Sequence, residues 1–103
     1  MQLTITSRHK EVPEALRLRA EAVVDRLARF ARRPTHAQVE FDQEHQRATA
    51  ELRLHAARGT VHVASAEADD HRTALDRAAA KLRRQLDKTS AEPRRAAKKK
   101  AGD

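Results

Sequence analysis

The chain has 103 residues, with 22 Lys or Arg against 15 Asp or Glu and a formal net charge of +7. That length holds one domain. Only 39% of residues are hydrophobic, more than half of those are Ala, and Phe30 and Phe41 are the only aromatics among Phe, Trp and Tyr. A core this lean supports a small two-layer domain but no deep, water-excluding catalytic pocket. There is no Cys, which excludes disulfides and thiolate metal sites. No apolar run approaches the roughly 20 residues of a membrane helix. Residues 1–10 alternate polar and apolar types without a signal-peptide core. The expectation is a soluble, cytoplasmic, basic domain with a polyanionic partner and no membrane association.

Residues 2–6 alternate, with Leu3 and Ile5 on one face, and predict a half-buried strand. Pro13 then suits the first turn of a helix. The stripe Leu16, Ala20, Val23, Val24, Leu27, Phe30 and Ala31 predicts a helix over residues 13–32, stopped by Pro34. Ala37, Val39 and Phe41 mark a second strand, and Ala48, Ala50, Leu52 and Leu54 a third, with a turn at residues 43–46 between them. Arg58-Gly59 reads as a two-residue hairpin turn, although Arg in its first place needs a positive φ. The fourth strand, residues 60–67, changes its apolar phase from Val61 and Val63 to Ala64 and Ala66, which predicts a β-bulge near residues 63–65. Asp69 or Asp70 can cap a second helix with the stripe Ala74, Leu75, Ala78, Ala79, Leu82 and Leu86, fading by about residue 89.

The order is β-α-β-β-β-α. It predicts an α+β, two-layer sandwich: a four-stranded sheet, strands 1 and 2 parallel, with both helices on one face and water on the other. Residues 1–90 form the domain. Residues 91–103 lack aromatics, are rich in Ala and Lys, and are expected to be a disordered basic tail carrying Arg94, Arg95, Lys98, Lys99 and Lys100.

The charge is uneven. Residues 14–33 carry six cations against three carboxylates, and residues 70–88 the same, whereas residues 34–69 carry three against six. Arg19, Arg26, Arg29 and Arg33 share one flank of the first helix by spacing, and Arg77, Lys81, Arg84 and Lys88 one flank of the second. Such ridges are candidate phosphate contacts, because Arg forks bind phosphates in bidentate fashion. The scarcity of aromatics argues against base stacking on the open sheet, and for recognition of RNA backbone and shape.

Six His are present. A two-residue turn at Arg58-Gly59 sets His55 opposite His62 on the open face, beside Arg53 and Glu51. A polar cross-strand pair is the plainer reading of this group than a zinc site. Adjacent Asp69 and Asp70 read as capping. No arrangement of nucleophile and base, and no Gly-rich loop, points to catalysis or to a cofactor or metal.

The opening Met1-Gln2-Leu3-Thr4-Ile5-Thr6-Ser7, the helix start Val12-Pro13-Glu14-Ala15-Leu16-Arg17, and Ala74-Leu75-Asp76 with Lys81-Leu82-Arg83-Arg84-Gln85-Leu86 and Lys88 resemble the bacterial ribosome hibernation promoting factors and the related ribosome-associated inhibitor A. The resemblance covers roughly residues 1–90. It implies a stress factor that binds the small ribosomal subunit in the channel used by mRNA and by tRNA at the A and P sites, without catalysis. The family's basic positions carry over to Arg17, Arg26, Arg29, Lys81, Arg84 and Lys88. Members usually have Asp-x-Tyr-x-Ala at the start of the second helix, where Arg72 here replaces the Tyr, and an acidic residue where this chain has Ala80. The chain resembles the short form and is expected to be a monomer when free. The segment Glu92-Pro93-Arg94-Arg95-Ala96-Ala97 is similar to the inhibitor-like branch. Two other readings remain open from the residues alone: a generic binder of structured RNA, since the β-β-β-α portion resembles a double-stranded RNA-binding fold, and a basic module for an acidic protein.

Overall fold

The structure, a computed structural model, describes residues 1–8 and 10–96, with side chains through residue 88. Its elements are β1 (Gln2–Ser7), α1 (Glu14–Ala28), β2 (His36–Glu44), β3 (Arg47–His55), β4 (Val61–Ala68) and α2 (His71–Ala96). The strands lie in the order β1-β2-β3-β4. β1 is parallel to β2, and the other two pairs are antiparallel. Period-two alternation puts Val39, Phe41, Leu52 and Leu54 on one face of the sheet, where they pack against Leu75, Leu82 and Leu86 of α2 and Val23, Val24 and Leu27 of α1 in a single core. Burying each such side chain contributes about 1.5–3 kcal/mol. The opposite face is solvated, as the alternation predicts.

α1 starts where Arg17 N–H donates to the Pro13 carbonyl (2.9 Å), with Glu14 suited to the positive end of the helix dipole. It ends at Ala28, four residues before the expected stop. The amides of Arg29, Phe30 and Ala31 instead bond three residues back, to Arg26, Leu27 and Ala28. Pro34 disfavours helical geometry at the residue before it, and Arg33 sits at φ 47°. The β2–β3 connection is also tighter than expected. Glu44 pairs with Arg47, and His45 and Gln46 take φ 51° and 66° in a two-residue turn that lacks the usual Asn or Gly signal.

The predicted bulge within β4 is absent. His62, Ala64, Ala66 and Ala68 point inward without a break, while Val61 and Val63 are exposed. The extra residue sits in the turn. Arg58 and Gly59 both have positive φ, as a type I′ turn requires, but the strands resume pairing at Ala56 and Thr60. Ala57 is left over, and its N–H donates to the Arg32 carbonyl in the α1–β2 loop (2.9 Å). That single residue shifts the register, so Leu54 and not His55 opposes His62.

α2 is capped by Asp70, whose carboxylate accepts from Thr73 N–H (3.0 Å) and Thr73 Oγ1 (2.7 Å). These bonds hold the Asp70 carboxyl below its ordinary pKa. The helix continues to Ala96, six residues into the expected tail. Ala, Glu and Arg propagate a helix well, and Pro93 falls near its end. Residues 97–103, with Lys98, Lys99 and Lys100, lie outside the described residues, as do the side chains of Arg94 and Arg95.

Candidate nucleic-acid interface

The outer flank of α2 lies over the free edge of the sheet. Arg77, Lys81 and Gln85, four residues apart, reach across β4. Arg77 Nη1 donates to the Glu67 carbonyl (3.0 Å), Lys81 Nζ to the Ser65 carbonyl (2.9 Å) and Gln85 Nε2 to the Val63 carbonyl (2.8 Å). An edge strand exposes a row of unpaired backbone groups, and side chains from α2 occupy this one. Arg84 and Lys88 share the flank and are exposed. Neither has an ion pair or hydrogen bond among the described residues.

The cations of α1 divide in the same way. Arg19 is tied to α2, with its guanidinium 3.0–3.1 Å from Asp76. Arg26 and Arg29 are exposed and Arg17 is half-buried, and none has a partner among the described residues. Arg33 leaves the expected ridge because the helix has already ended. Arg83, on the α2 flank facing α1, pairs with Asp87 (3.1 Å) and stacks over the Phe30 ring (3.6 Å).

The open sheet face has the opposite character. Glu40 lies directly across from Glu51, an arrangement that repels unless neighbours compensate. Arg8 does so, 2.9 Å from Glu40 and 3.6 Å from Asp42. The hydrogen bond and charge of Glu40 raise the Arg8 pKa further above its ordinary value. Arg53 contacts Glu51 (3.5 Å), and Arg47 bridges Glu67 (3.1 Å) and Asp69 (2.7 Å). Cations on this face are therefore matched by carboxylates, whereas those of the helix layer are in large part unmatched.

Four of the unmatched cations share one pole, whereas Arg17, in the first turn of α1, lies toward the other. α2 meets Glu67, Ser65 and Val63 in that order, so its later turns lie where β4 begins. α1 ends at the same pole, because the chain goes from there directly into β2, which is parallel to β1. Arg26, Arg29, Arg84 and Lys88 gather there.

The histidines are not arranged as expected. His55 stacks on His36 of β2, with ring centroids 3.8 Å apart, and His62 is buried on the other face. Desolvation lowers the His62 pKa below its ordinary 6.5. No cluster of three or more His, Asp or Glu that could hold a metal ion occurs among the described residues. No helix among them is long and apolar enough to cross a membrane. Spacing identified the α2 ridge but not the tie to β4, since the need for that tie depends on which strand lies at the edge.

Two helices on one face of a four-stranded sheet in β-α-β-β-β-α order place the chain in a class of small ribosome-associated proteins. The model of the family described as Sigma 54 modulation protein / S30EA ribosomal protein matches residues 3–93, and the chain belongs to that family, in agreement with its resemblance to the hibernation factors. The chain is similar to the solved structure of a ribosomal subunit interface protein from Coxiella burnetii, with 23% identity, a TM-score of 0.77, and 88% of this chain and 99% of that one covered. It is also similar to the Protein Y N-terminal domain of Thermus thermophilus, with 25% identity, a TM-score of 0.75, and 86% and 99% covered. Nothing among curated proteins matches the chain. The family is ribosome-binding and is not a known enzyme family.

Proposed function

We propose that this protein is a cytoplasmic hibernation factor that binds the small ribosomal subunit as a monomer and occludes the channel used by mRNA and by tRNA at the A and P sites. It acts by occupancy and carries out no reaction. The observation that carries this reading is the set of unmatched cations at one pole of the helix layer: Arg26 and Arg29 from α1, and Arg84 and Lys88 from α2. Phosphates of 16S rRNA supply the countercharge that the protein's own carboxylates do not. Arg17, in the first turn of α1 and away from that pole, adds positive charge to the helix layer. Arg19, Arg77 and Lys81 contribute through field and position, because their heads are already bonded within the domain. The β-α-β-β-β-α unit of residues 1–90 is the ribosome-binding part, and the basic segment after it adds charge.

The test is co-sedimentation with small subunits across a salt series. Arg84→Glu with Lys88→Glu should abolish binding while the circular dichroism spectrum and melting temperature stay unchanged. Undiminished co-sedimentation of this variant would overturn the reading. Long RNA duplexes competing as well as small subunits would assign the protein to generic structured RNA instead.

A further inference from the structure

An open cavity of about 900 Å³ lies at the same pole, below the helix layer, where the α1–β2 loop meets the β3–β4 turn. Arg32, Arg33, Arg58, His36 and His55 line it with the backbone of Gly59, and no carboxylate is among its lining residues. Elsewhere Arg8, Arg19, Arg47, Arg53 and Arg83 each have a carboxylate within 4 Å. Arg32, Arg33 and Arg58 are exposed and have no ion-pair partner among the described residues, so the positive charge around this space is uncompensated within the protein.

The backbone here is strained, and the strain falls on charged residues. Arg33 has φ 47° and Arg58 φ 62°, left-handed conformations that L-residues other than Gly, Asn and Asp seldom adopt. Asn would serve better than Arg in the first place of a type I′ turn. Unlike His45 and Gln46 in the β2–β3 turn, the strained residues here are both Arg and border a cavity with no carboxylate in its lining, which points to a function for the side chains there. The two loops are also locked together. Ala57 N–H donates to the Arg32 carbonyl (2.9 Å), and Thr35 N–H to the His55 carbonyl (2.8 Å). The His36–His55 stack, its rings inclined by 16°, borders the same space, with His36 Nδ1 3.3 Å from Thr35 Oγ1.

We propose that this cavity is a binding site for a phosphoryl group of a nucleotide, carried either by a single-stranded RNA segment or by a free nucleotide. Arg32, Arg33 and Arg58 supply the charge and the forked donors that phosphate oxygens accept, and the histidine pair supplies ring N–H donors. The site is separate from the Arg84 and Lys88 surface, and its occupancy can be measured without ribosomes.

The experiment follows the His36 and His55 ring resonances of the full chain by NMR. The chain is titrated in separate arms with inorganic phosphate, a nucleoside triphosphate and a short single-stranded oligoribonucleotide. Both resonances should move saturably, and Arg33→Gly with Arg58→Gly should weaken that response at least tenfold. Glycine takes these φ values without strain, so the double variant should keep or raise the melting temperature. Arg84→Ala with Lys88→Ala should leave the response in place, which separates this site from the ribosome-binding surface. Saturation by the oligoribonucleotide alone assigns the ligand to RNA, and saturation by the triphosphate assigns it to a free nucleotide. Unmoved resonances, or equal movement in the glycine variant, would overturn the proposal.

Discussion

Arg77 and Lys81 share a flank of α2 with Arg84 and Lys88, yet their surroundings differ. The first pair lies over β4 and donates to its edge carbonyls, together with Gln85. The second pair is exposed, with no partner among the described residues. Gln85 is neutral and makes the same kind of bond as its charged neighbours, so covering the edge requires a long donor and not a charge. Within one stripe of uniform spacing, part of the positive charge is thus tied to the fold and part is available to a partner.

The largest effect expected from this division is on binding. Arg84→Ala with Lys88→Ala should weaken affinity for small subunits roughly 10- to 100-fold and lower the slope of log affinity against log salt by about 1.5, as the loss of two phosphate contacts requires. Stability should stay within about 0.5 kcal/mol, the usual range for exposed surface changes. Filter binding at several salt concentrations, beside thermal melts, checks both. A large loss of stability would show that these side chains also hold the fold.

The next effect is on the edge itself. Arg77→Met with Lys81→Met removes two donors from β4 and should cost about 1–3 kcal/mol of unfolding free energy. It also bares backbone groups that pair readily with another strand, so light scattering should detect self-association. Arg77→Gln with Lys81→Gln keeps donors and removes charge, and should stay within about 0.5 kcal/mol of the parent. If the Gln pair is as unstable as the Met pair, charge holds the edge after all, and the distinction drawn from Gln85 fails.

All four strands and both helices are legible in the sequence because every element has a clean apolar period: Leu75, Ala78, Leu82 and Leu86 for α2, and Val39 and Phe41 against Leu52 and Leu54 for the sheet. Two kinds of feature escaped it. One was register. The odd residue Ala57 hides in a turn, where composition carries no signal, and its displacement moved His62 from the open face into the core. The other was partnership. Arg19, Arg77 and Lys81 look like Arg84 and Lys88 in the chain, and only the sheet order and the closeness of the helices show which heads are taken. The acidic character of residues 34–69 was legible as a sum. Its meaning, a matched open face opposite an unmatched helix layer, required the alternation to be resolved in three dimensions.

A smaller effect concerns the tie between the helices. Arg19 and Asp76 are each about one-third exposed or more, with side-chain exposures of 33% and 40%, so solvent screens their attraction. A double-mutant cycle with Arg19→Met and Asp76→Leu should give a coupling of about 0.2–1 kcal/mol. Coupling near zero would leave the helix layer held by Val23, Leu27, Leu75 and Leu82 alone and would count Arg19 among the cations available to RNA.

The smallest effect probes β4 from its inner face. His62 is buried and its neutral form is favoured in the fold, so its pKa there lies below the ordinary 6.5. Above 6.5 both folded and unfolded chains hold it neutral, and its contribution to stability does not vary. As pH falls below 6.5 the unfolded chain takes the proton first, and stability declines until the folded form also protonates. The slope is a fraction of the roughly 1.4 kcal/mol per pH unit that a full proton gives. His62→Gln, measured by urea denaturation between pH 7 and 5, should flatten the decline. The Asp70 cap titrates in a separate window: its folded pKa lies below 3.8, so its contribution is present above that value and is lost in more acidic solution. A decline between pH 7 and 5 that survives in His62→Gln would overturn the assignment of that slope to the buried imidazole of β4.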